Sequence, residues 1–147
     1  FGSSHVAQGD HPFSSCVHSC VRAAMFALSS LRLGLWKQSI LKCADNTGII
    51  KGCIIGLGRN KWGTGKIGDR VRISVRDKYE KYKGEQLPKA IIARRRRHTG
   101  RKDGSYIRFD DNAFVVIAKN QAKGTKIKGP LSYEIQNNCK ALARWIF

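Results

Sequence analysis

The chain has 147 residues, with 28 lysines and arginines against 10 acidic residues, and a formal net charge of +18. A hydrophobic fraction of 41% is sufficient for one small core, and no apolar run approaches the ~20 residues that a membrane-spanning helix requires. Because a compact domain with this charge repels itself, the composition predicts a polyanionic partner, with nucleic acid ranked before an anionic membrane.

The first 37 residues predict an N-terminal extension, which is followed by one domain over residues 38–147. Residues 1–35 are rich in Ser, Ala, Leu and Cys and hold Arg22 and Arg32 against Asp10. This balance is typical of an organelle transit peptide, so we expect a mitochondrial (matrix) location, with the plastid as second choice. One helical face can be shared by Phe26, Leu28, Leu31 and Leu35.

Other interpretations of the extension stay open. Residues 1–24 can belong to a longer presequence, or translation can begin at Met25, the single methionine. The extension can also be retained and become ordered only on RNA. N-terminal sequencing of the mature protein separates these possibilities.

The five cysteines are odd in number and show no framework spacing, so we expect no disulfide scaffold. Cys43 and Cys53 lie within apolar strand patterns and are predicted to be core thiols. Cys16 and Cys20, with two histidines upstream, have the composition of half a zinc site. A second paired ligand set does not follow in the sequence, so we expect neither zinc nor another protein-bound cofactor.

The domain begins with two predicted strands. Residues 39–44 and 49–57 are apolar strand patterns, joined by a turn over residues 45–48 in which all four residue types suit a turn. Gly52 and Gly56 interrupt the second strand, as glycines do at bulges and barrel corners.

A glycine-rich basic loop follows over residues 58–68. Lys66 is followed by Ile67 rather than by Ser or Thr, so the loop lacks the ending of a nucleotide-binding P-loop. Trp62 in this loop is expected either to stack on a base or a neighbouring protein or to join the core.

Residues 69–76 alternate between apolar and basic side chains, which predicts a half-buried strand. Its two faces carry Val71, Ile73 and Val75 on one side and Arg70, Arg72 and Arg76 on the other. Residues 77–86 are polar, and we expect Tyr79 and Tyr82 within them to cover one end of the fold, with stacking on RNA as the alternative.

The most strongly charged element is a predicted hairpin. Residues 87–95 and 106–119 are apolar strands, and Asp103-Gly104 between them is a turn dipeptide. The charge is concentrated at the turn, on Arg94, Arg95, Arg96, Arg97, Arg101 and Lys102. A solvated face would interleave acids and bases, so six cations directed at one place predict a polyanion. Asp110 and Asp111 are expected to neutralise part of this cluster through salt bridges.

The C-terminal part predicts a loop over residues 120–129, with a short strand around residues 126–127, and then helix. Pro130 suits a helix start, and the helical stretch extends through residue 145, with a possible break at residues 137–138. Five or six short strands with bulge glycines, followed by terminal helices, predict a mainly β fold, either a small closed barrel or a sandwich.

Three runs in this sequence have a familiar order and spacing. Residues 101–116 read RKDGSYIRFDDNAFVV, residues 41–48 read LKCADNTG and residues 124–130 read GTKIKGP. Together they resemble the ribosomal protein L14 family of the large ribosomal subunit. The resemblance covers residues 38–147 and leaves the extension without a counterpart. It implies a five-stranded closed β-barrel with short C-terminal helices.

The resemblance also implies a function. Members bind large-subunit rRNA at the subunit interface, near the elongation-factor-binding region, and they contact small-subunit rRNA in an intersubunit bridge and neighbouring large-subunit proteins. A silencing factor is received by a segment that corresponds here to Thr125 and Lys126. Mg²⁺ is expected only as an rRNA counterion. The side chains that we predict at rRNA are Lys51, Arg59, Lys61, Trp62, Lys66, Arg70, Arg72, Arg76, Lys78, Lys81, Arg94, Arg95, Arg96, Arg97, His98, Arg101, Lys102 and Arg108.

Other function classes fit parts of the sequence. The main alternative is a free RNA chaperone that coats nucleic acid without a fixed site. An enzyme would need a carboxylate or histidine constellation that the pattern does not supply, so we expect no catalysis. A secreted cationic protein would favour paired cysteines. If the ribosomal interpretation holds, changing residues 94–97 to serine is expected to impair ribosome incorporation and to leave the isolated barrel folded.

Overall fold

The computed structural model describes residues 34–58, 63–140 and 142. Eight strands and one 3-10 helix form the secondary structure of this part. The strands are β1 (Ile40–Cys43), β2 (Ile49–Gly56), β3 (Arg70–Lys78), β4 (Lys89–Arg94), β5 (Thr99–Gly100), β6 (Tyr106–Ile107), β7 (Ala113–Ala118) and β8 (Gln121–Ala122), and the 3-10 helix spans Tyr133–Asn137.

Five of the strands close into a barrel. They are hydrogen-bonded in the order β1-β2-β3-β4-β7, and β1 returns to β7 in a parallel pairing that sets Lys42 opposite Ala113 and Cys43 opposite Phe114. The end of β7 pairs with β8, whereas β5 and β6 form a separate two-stranded hairpin. Closure satisfies strand edges that would otherwise be open to other chains. The prediction of a mainly β fold with a five-stranded closed barrel is confirmed.

The barrel interior is filled by one apolar cluster. Strand alternation directs every second side chain inward, and the predicted inward face of β3 is confirmed. Of the two tyrosines predicted to cover one end, Tyr82 is buried in the same cluster, whereas Tyr79 is exposed. The cluster contains Leu35, Leu41, Ile49, Ile54, Leu57, Val71, Ile73, Val75, Tyr82, Ala90, Ile92, Phe114 and Val116. Full burial of a side chain such as Phe114 contributes about 2–3 kcal/mol.

A second apolar cluster covers β4 and β7 from outside the barrel. It combines the outward side chains of these strands with Leu131, Ile135, Cys139 and Leu142 of the C-terminal segment. Residues 90–93 and 113–117 are therefore buried on both faces, and this explains why their sequences are continuously apolar rather than alternating. Their prediction as buried strands is confirmed.

The β1–β2 turn is tied to the barrel wall by a buried carboxylate. Asp45 is 5% exposed and accepts a hydrogen bond from the backbone N–H of Val116 at 2.7 Å. It also accepts from the backbone N–H and the hydroxyl of Thr47 and from the Cys43 thiol. A polar group at this depth is tolerated because its oxygens accept hydrogen bonds from these donors.

The two glycines in β2 lie at register shifts against β3, as their sequence context predicted. The pairing shifts between Lys51 and Gly52 and again between Ile54 and Gly56. At Gly52 the backbone lies so close to the interior that an added Cβ would be 2.3 Å from Cγ2 of Ile73. The glycine at this position allows the barrel to bend there without a clash.

Several predicted elements differ from the structure. Within the described residues, the stretch predicted as helix from Pro130 holds the 3-10 helix Tyr133–Asn137 and further 3-10 positions at Lys140 and Leu142. The packing of residues 131, 135 and 139 against the barrel fixes this tighter path. The strand predicted over residues 106–119 is two strands, because residues 106–107 pair with β5 and only residues 113–118 enter the barrel.

The prediction of a helical face on the extension lies outside the described residues except at Leu35, where it is wrong. Leu35 is 1% exposed, forms an isolated β-bridge with Gly65 and packs in the barrel interior. The segment predicted as a short strand around residues 126–127 contributes a similar single bridge, between Ile127 and Asp45. The described residues contain no helix that is both long and apolar enough to cross a membrane.

Candidate nucleic-acid interface

The four consecutive arginines have different environments, beginning with Arg94, the last residue of β4. Its side chain is 9% exposed and forms an ion pair with Asp111, with Nε donating to Oδ1 at 2.7 Å. Its Nη1 donates to the carbonyl oxygens of Lys128 at 2.8 Å and Pro130 at 3.3 Å. The hydrogen bond from Arg94 lowers the pKa of Asp111 below its ordinary value. The salt bridge predicted for Asp111 is confirmed, and Arg94 holds the C-terminal segment.

Arg95 is also buried, at 6% exposure, on the opposite face of the chain. Its guanidinium donates to the carbonyl oxygens of Gly65 at 2.9 Å and His98 at 3.2 Å and to the hydroxyl of Thr99 at 2.9 Å. Burial is the main cause of the lowered pKa of Arg95, and repulsion from Arg97 is the second cause. Arg95 thus joins the glycine-rich loop to the start of the β5–β6 hairpin.

The remaining members of the run are exposed. Arg96 uses its Nε to donate to the carbonyl oxygen of Asp110 at 2.5 Å, so Asp110 contributes its backbone to the cluster rather than the predicted salt bridge. The exposed cationic and imidazole side chains of this region are Arg96, Arg97, His98, Lys102 and Arg108. The structure therefore divides the six clustered cations, and those that reach solvent are the candidates for direct phosphate contact.

Arg101 is partly buried and follows β5 directly, where the turn of the β5–β6 hairpin begins. Its Nε donates to Oε1 of Glu134 at 2.5 Å, and its Cζ lies 5.2 Å from the ring centroid of Tyr133. The hydrogen bond that Arg101 donates to Glu134 raises the pKa of Arg101. This ion pair connects the hairpin to the 3-10 helix, so Arg101 has a structural contact beside any role at RNA.

The outward face of β3 carries a second group of cations. Arg70, Arg72 and Arg76 are exposed, as the alternation predicted. Arg70 donates through Nη2 to the carbonyl oxygen of Asn138 at 2.6 Å, and Lys51 on β2 lies 3.3 Å from the carboxylate of Asp77. The exposed pair of Lys51 and Asp77 contributes little to stability, so Lys51 is available to exchange its partner for a phosphate.

The other predicted RNA contacts lie near these two groups or outside the described residues. Lys66, Lys78 and Lys81 are exposed. Of the two tyrosines, Tyr79 is 62% exposed, whereas Tyr82 is buried and donates its hydroxyl to the Glu85 carbonyl at 2.7 Å. Burial is the main cause of the raised pKa of Tyr82. The loop residues Arg59, Lys61 and Trp62 lie outside the described residues.

The segment that the family resemblance linked to a silencing factor is fixed by one asparagine. Thr125 and Lys126 are exposed. Asn46 accepts from the backbone N–H of Thr125 at 2.9 Å and of Lys126 at 3.3 Å and donates to the Thr125 hydroxyl at 2.8 Å. The β1–β2 turn therefore presents this segment with a defined backbone.

The cysteines in the described part of the chain are free thiols, at Cys43, Cys53 and Cys139. Cys53 is buried, as predicted, and Cys43 is partly buried against the interior cluster. Burial, reinforced by the carboxylate of Asp45, raises the pKa of Cys43 to about 12. The described residues contain no group of three or more metal-ligating side chains, and the zinc candidates Cys16 and Cys20 lie outside them.

Two lysines that the sequence interpretation did not include lie beside the β3 cations. Lys89 at the start of β4 and Lys119 after β7 line, with Arg70 and Arg72, one surface pocket of about 290 Å³. No short-range pattern in the sequence connects these four positions. Lys119-Asn120 is not one of the dipeptides that mark a two-residue hairpin turn, so the position of Lys119 followed only from the β7–β8 pairing.

Comparison with known protein families shows a match over most of the chain. The family model described as Ribosomal protein L14p/L23e matches residues 34–144, which is most of the chain and includes all the described strands.

Proposed function

Because the chain belongs to the ribosomal protein L14p/L23e family, and is therefore a structural, rRNA-binding protein of the large ribosomal subunit, we propose that it lies at the subunit interface of an organellar ribosome and contributes to an intersubunit bridge. The proteins of this family are typically non-enzymatic. The proposal concerns the location of the protein, the side chains that contact RNA and the second RNA surface that it reaches.

The observation that carries the proposal is the charge imbalance of the folded domain. Of the charged residues, 26 bases and 9 acids follow residue 35, a net charge of +17. Nine carboxylates cannot neutralise 26 cations, even though Arg94, Arg101 and Lys51 each have an acidic partner. Phosphates supply the missing anions, and guanidinium groups bind them through paired donors.

The β5–β6 hairpin supports contact with a second RNA. It pairs only with itself and stays outside the barrel sheet. Residues 102–106, at its tip, are all exposed and include Lys102 and an exposed aromatic ring, Tyr106, at 76%. Asp103 offsets the charge of Lys102, so the tip is not strongly charged, but its exposed lysine and exposed aromatic ring suit a helix surface or an unpaired base beyond the rRNA bound by the barrel. We assign the bridge with small-subunit rRNA to this tip.

Further partners follow from the family and from the exposed segments. The Asn46-anchored segment with Thr125 and Lys126 is proposed as the contact for a silencing factor, because its backbone is fixed and its side chains are exposed. Neighbouring large-subunit proteins are proposed to contact apolar surface side chains such as Ile40, which is 62% exposed.

The organellar assignment depends on the composition of the first 35 residues, with two arginines and one acid in a segment rich in serine, alanine and leucine. Transit peptides combine these features because import requires a positively charged, amphipathic segment. The mitochondrion is proposed first and the plastid second. N-terminal sequencing of the protein recovered from the organelle tests this assignment, because a start before residue 20 contradicts a cleaved transit peptide.

Sucrose-gradient sedimentation of a mitochondrial lysate tests the ribosomal function. The tagged protein is expected in the large-subunit and monosome fractions, whereas a free RNA chaperone would stay near the top of the gradient or follow all RNA. A variant with Arg96→Ser and Arg97→Ser is expected to lose most of its incorporation, because both exposed side chains are proposed to contact rRNA. The variant is expected to stay folded, because fold stability does not depend on the burial of these two side chains. A matched variant, Lys83→Ser with Lys123→Ser, removes the same charge from exposed positions outside the predicted RNA contacts and is expected to incorporate.

The bridge is tested separately. Cross-linking from a photoreactive group attached at an introduced Ser105→Cys is expected to label small-subunit rRNA in intact monosomes and not in free large subunits. Labelling of large-subunit rRNA alone would remove the hairpin tip from the bridge without affecting the ribosomal assignment.

A further inference from the structure

We propose that the pocket lined by Arg70, Arg72, Lys89 and Lys119 holds one unpaired nucleotide of an RNA strand, with its phosphate on the cations and its ribose and base against the apolar floor. The inference rests on the proposed function as an RNA-binding protein and names a specific site for it. It differs from general surface attraction because it assigns a nucleotide-sized cavity, of about 290 Å³, to one ligand.

Strand register creates the cationic wall of the pocket. Arg72 on β3 lies directly opposite Lys89 on β4. Both side chains are exposed and point away from the barrel interior. Like charges directly opposite each other destabilise a sheet, so an anion between them relieves a repulsion that the fold itself imposes. Arg70 is held beside them by its hydrogen bond to the Asn138 carbonyl.

The β7–β8 turn supplies the fourth cation from a strained backbone. Lys119 and Asn120 both have positive φ angles, 47° and 64°, as the two central residues of a tight hairpin turn require. Asparagine and glycine adopt this conformation easily, whereas a lysine there costs on the order of 1 kcal/mol. Strained residues of this kind concentrate at ligand-binding positions, and Lys119 lines the pocket.

The shape and lining of the pocket favour a single nucleotide over the phosphates of a duplex. Its lining residues include four cations and no carboxylate, together with Ile117 and Asn120. Gly56 and Gly58 form part of the wall, where the lack of side chains leaves room for a ribose or a base. A duplex backbone needs only a convex row of cations, but an extruded nucleotide needs a concavity with an apolar surface and polar groups at its edge.

Fluorescence anisotropy with the full chain tests the proposal. The probes are a fluorescein-labelled hexauridylate, as unpaired RNA, and an RNA duplex. The test variant carries Lys89→Ser and Lys119→Ser, and the control carries Lys83→Ser and Lys123→Ser, which remove equal charge outside the pocket. The pocket variant is expected to lose about tenfold in affinity for hexauridylate, and the control about twofold, because only the former removes contacts to a seated nucleotide. For the RNA duplex, both variants are expected to lose about twofold in affinity.

Two further measurements complete the test. Replacing the same lysines by arginine is expected to restore hexauridylate binding, because the charge is retained. Photocross-linking with 4-thiouridine in the hexamer is expected to label residues 117–120. Equal losses in the two serine variants, cross-links confined to other regions, or failure of the unmodified chain to bind hexauridylate would each overturn the pocket assignment. Hexauridylate binding requires no ribosome, so these results are independent of gradient sedimentation. The sedimentation experiment tests the ribosomal function, and the binding experiment tests the pocket.

Discussion

Arg94 donates two hydrogen bonds to Asp111, from Nε to Oδ1 at 2.7 Å and from Nη2 to Oδ2 at 3.2 Å. Its Nη1 donates to the carbonyl oxygens of Lys128 and Pro130. One side chain therefore joins the end of β4 to the β7 entry and to the C-terminal segment. Because Arg95 is equally buried, the basic run combines two structural arginines with two exposed ones. Changing residues 94–97 together would thus alter stability and RNA binding at once.

Arg94→Ala is expected to lower the free energy of unfolding by about 3 kcal/mol, because the change leaves the Asp111 carboxylate without its partner and two carbonyls without a donor. Urea titration followed by tryptophan fluorescence measures the effect. Arg97→Ala, at an exposed position in the same run, serves as the control and is expected to change the free energy by less than about 0.5 kcal/mol. Equal effects of the two substitutions would contradict the structural role of Arg94.

The Asp111 contact also predicts a pH dependence. The pKa of Asp111 is lower in the folded protein than its ordinary value of 3.8, mainly through the hydrogen bond from Arg94. A lowered pKa contributes stability that is fully present above the unfolded value and is lost as pH falls through the folded value. The free energy of unfolding of the wild type is therefore expected to exceed that of Asp111→Asn by a constant margin from pH 7 to about pH 5. This margin is expected to shrink below about pH 4. A margin that is unchanged at pH 2 would contradict this linkage.

The two glycines of β2 provide a matched pair of substitutions. A Cβ at Gly52 would lie 2.3 Å from Cγ2 of Ile73 and 3.2 Å from the ring of Phe114, whereas one at Gly56 would meet no heavy atom within 4 Å. Gly52→Ala is expected to cost about 3 kcal/mol through overpacking. Gly56→Ala is expected to leave stability unchanged or slightly raised. Thermal unfolding of both variants checks the prediction. Unchanged stability of Gly52→Ala would contradict it and would show that Ile73 and Phe114 can move to accept the added methyl group.

The Cys43 thiol is expected to resist alkylation in the folded protein. Its pKa of about 12 compares with an ordinary value of 9.0, which reduces the reactive thiolate about a thousandfold at pH 8. Iodoacetamide labelling followed by peptide mass spectrometry measures the rate at this residue. The same cysteine in urea-unfolded chain is the reference, and similar rates in the two states would rule out the protection.

The strands that the sequence predicted best are those with a strong local pattern. Alternation on β3 and the continuous apolar runs of β4 and β7 reflect how many faces of each strand are buried, and burial is imposed on the sequence residue by residue. The C-terminal segment was predicted less well, because its apolar spacing suits an α-helix and a 3-10 helix almost equally. Packing of Ile135 and Cys139 on the outside of the barrel decides between them.

The candidate interface shows the same division. Composition alone determined that the domain needs a polyanionic partner, because 26 bases against 9 acids cannot be balanced internally. Only the tertiary structure decided that Arg94 and Arg95 are buried while Arg96 and Arg97 are exposed, and that Lys89 and Lys119 lie beside Arg72. A net charge is a sum over the sequence and needs no coordinates, whereas the partner of each cation depends on strand register and on barrel closure, which bring together residues far apart in the chain.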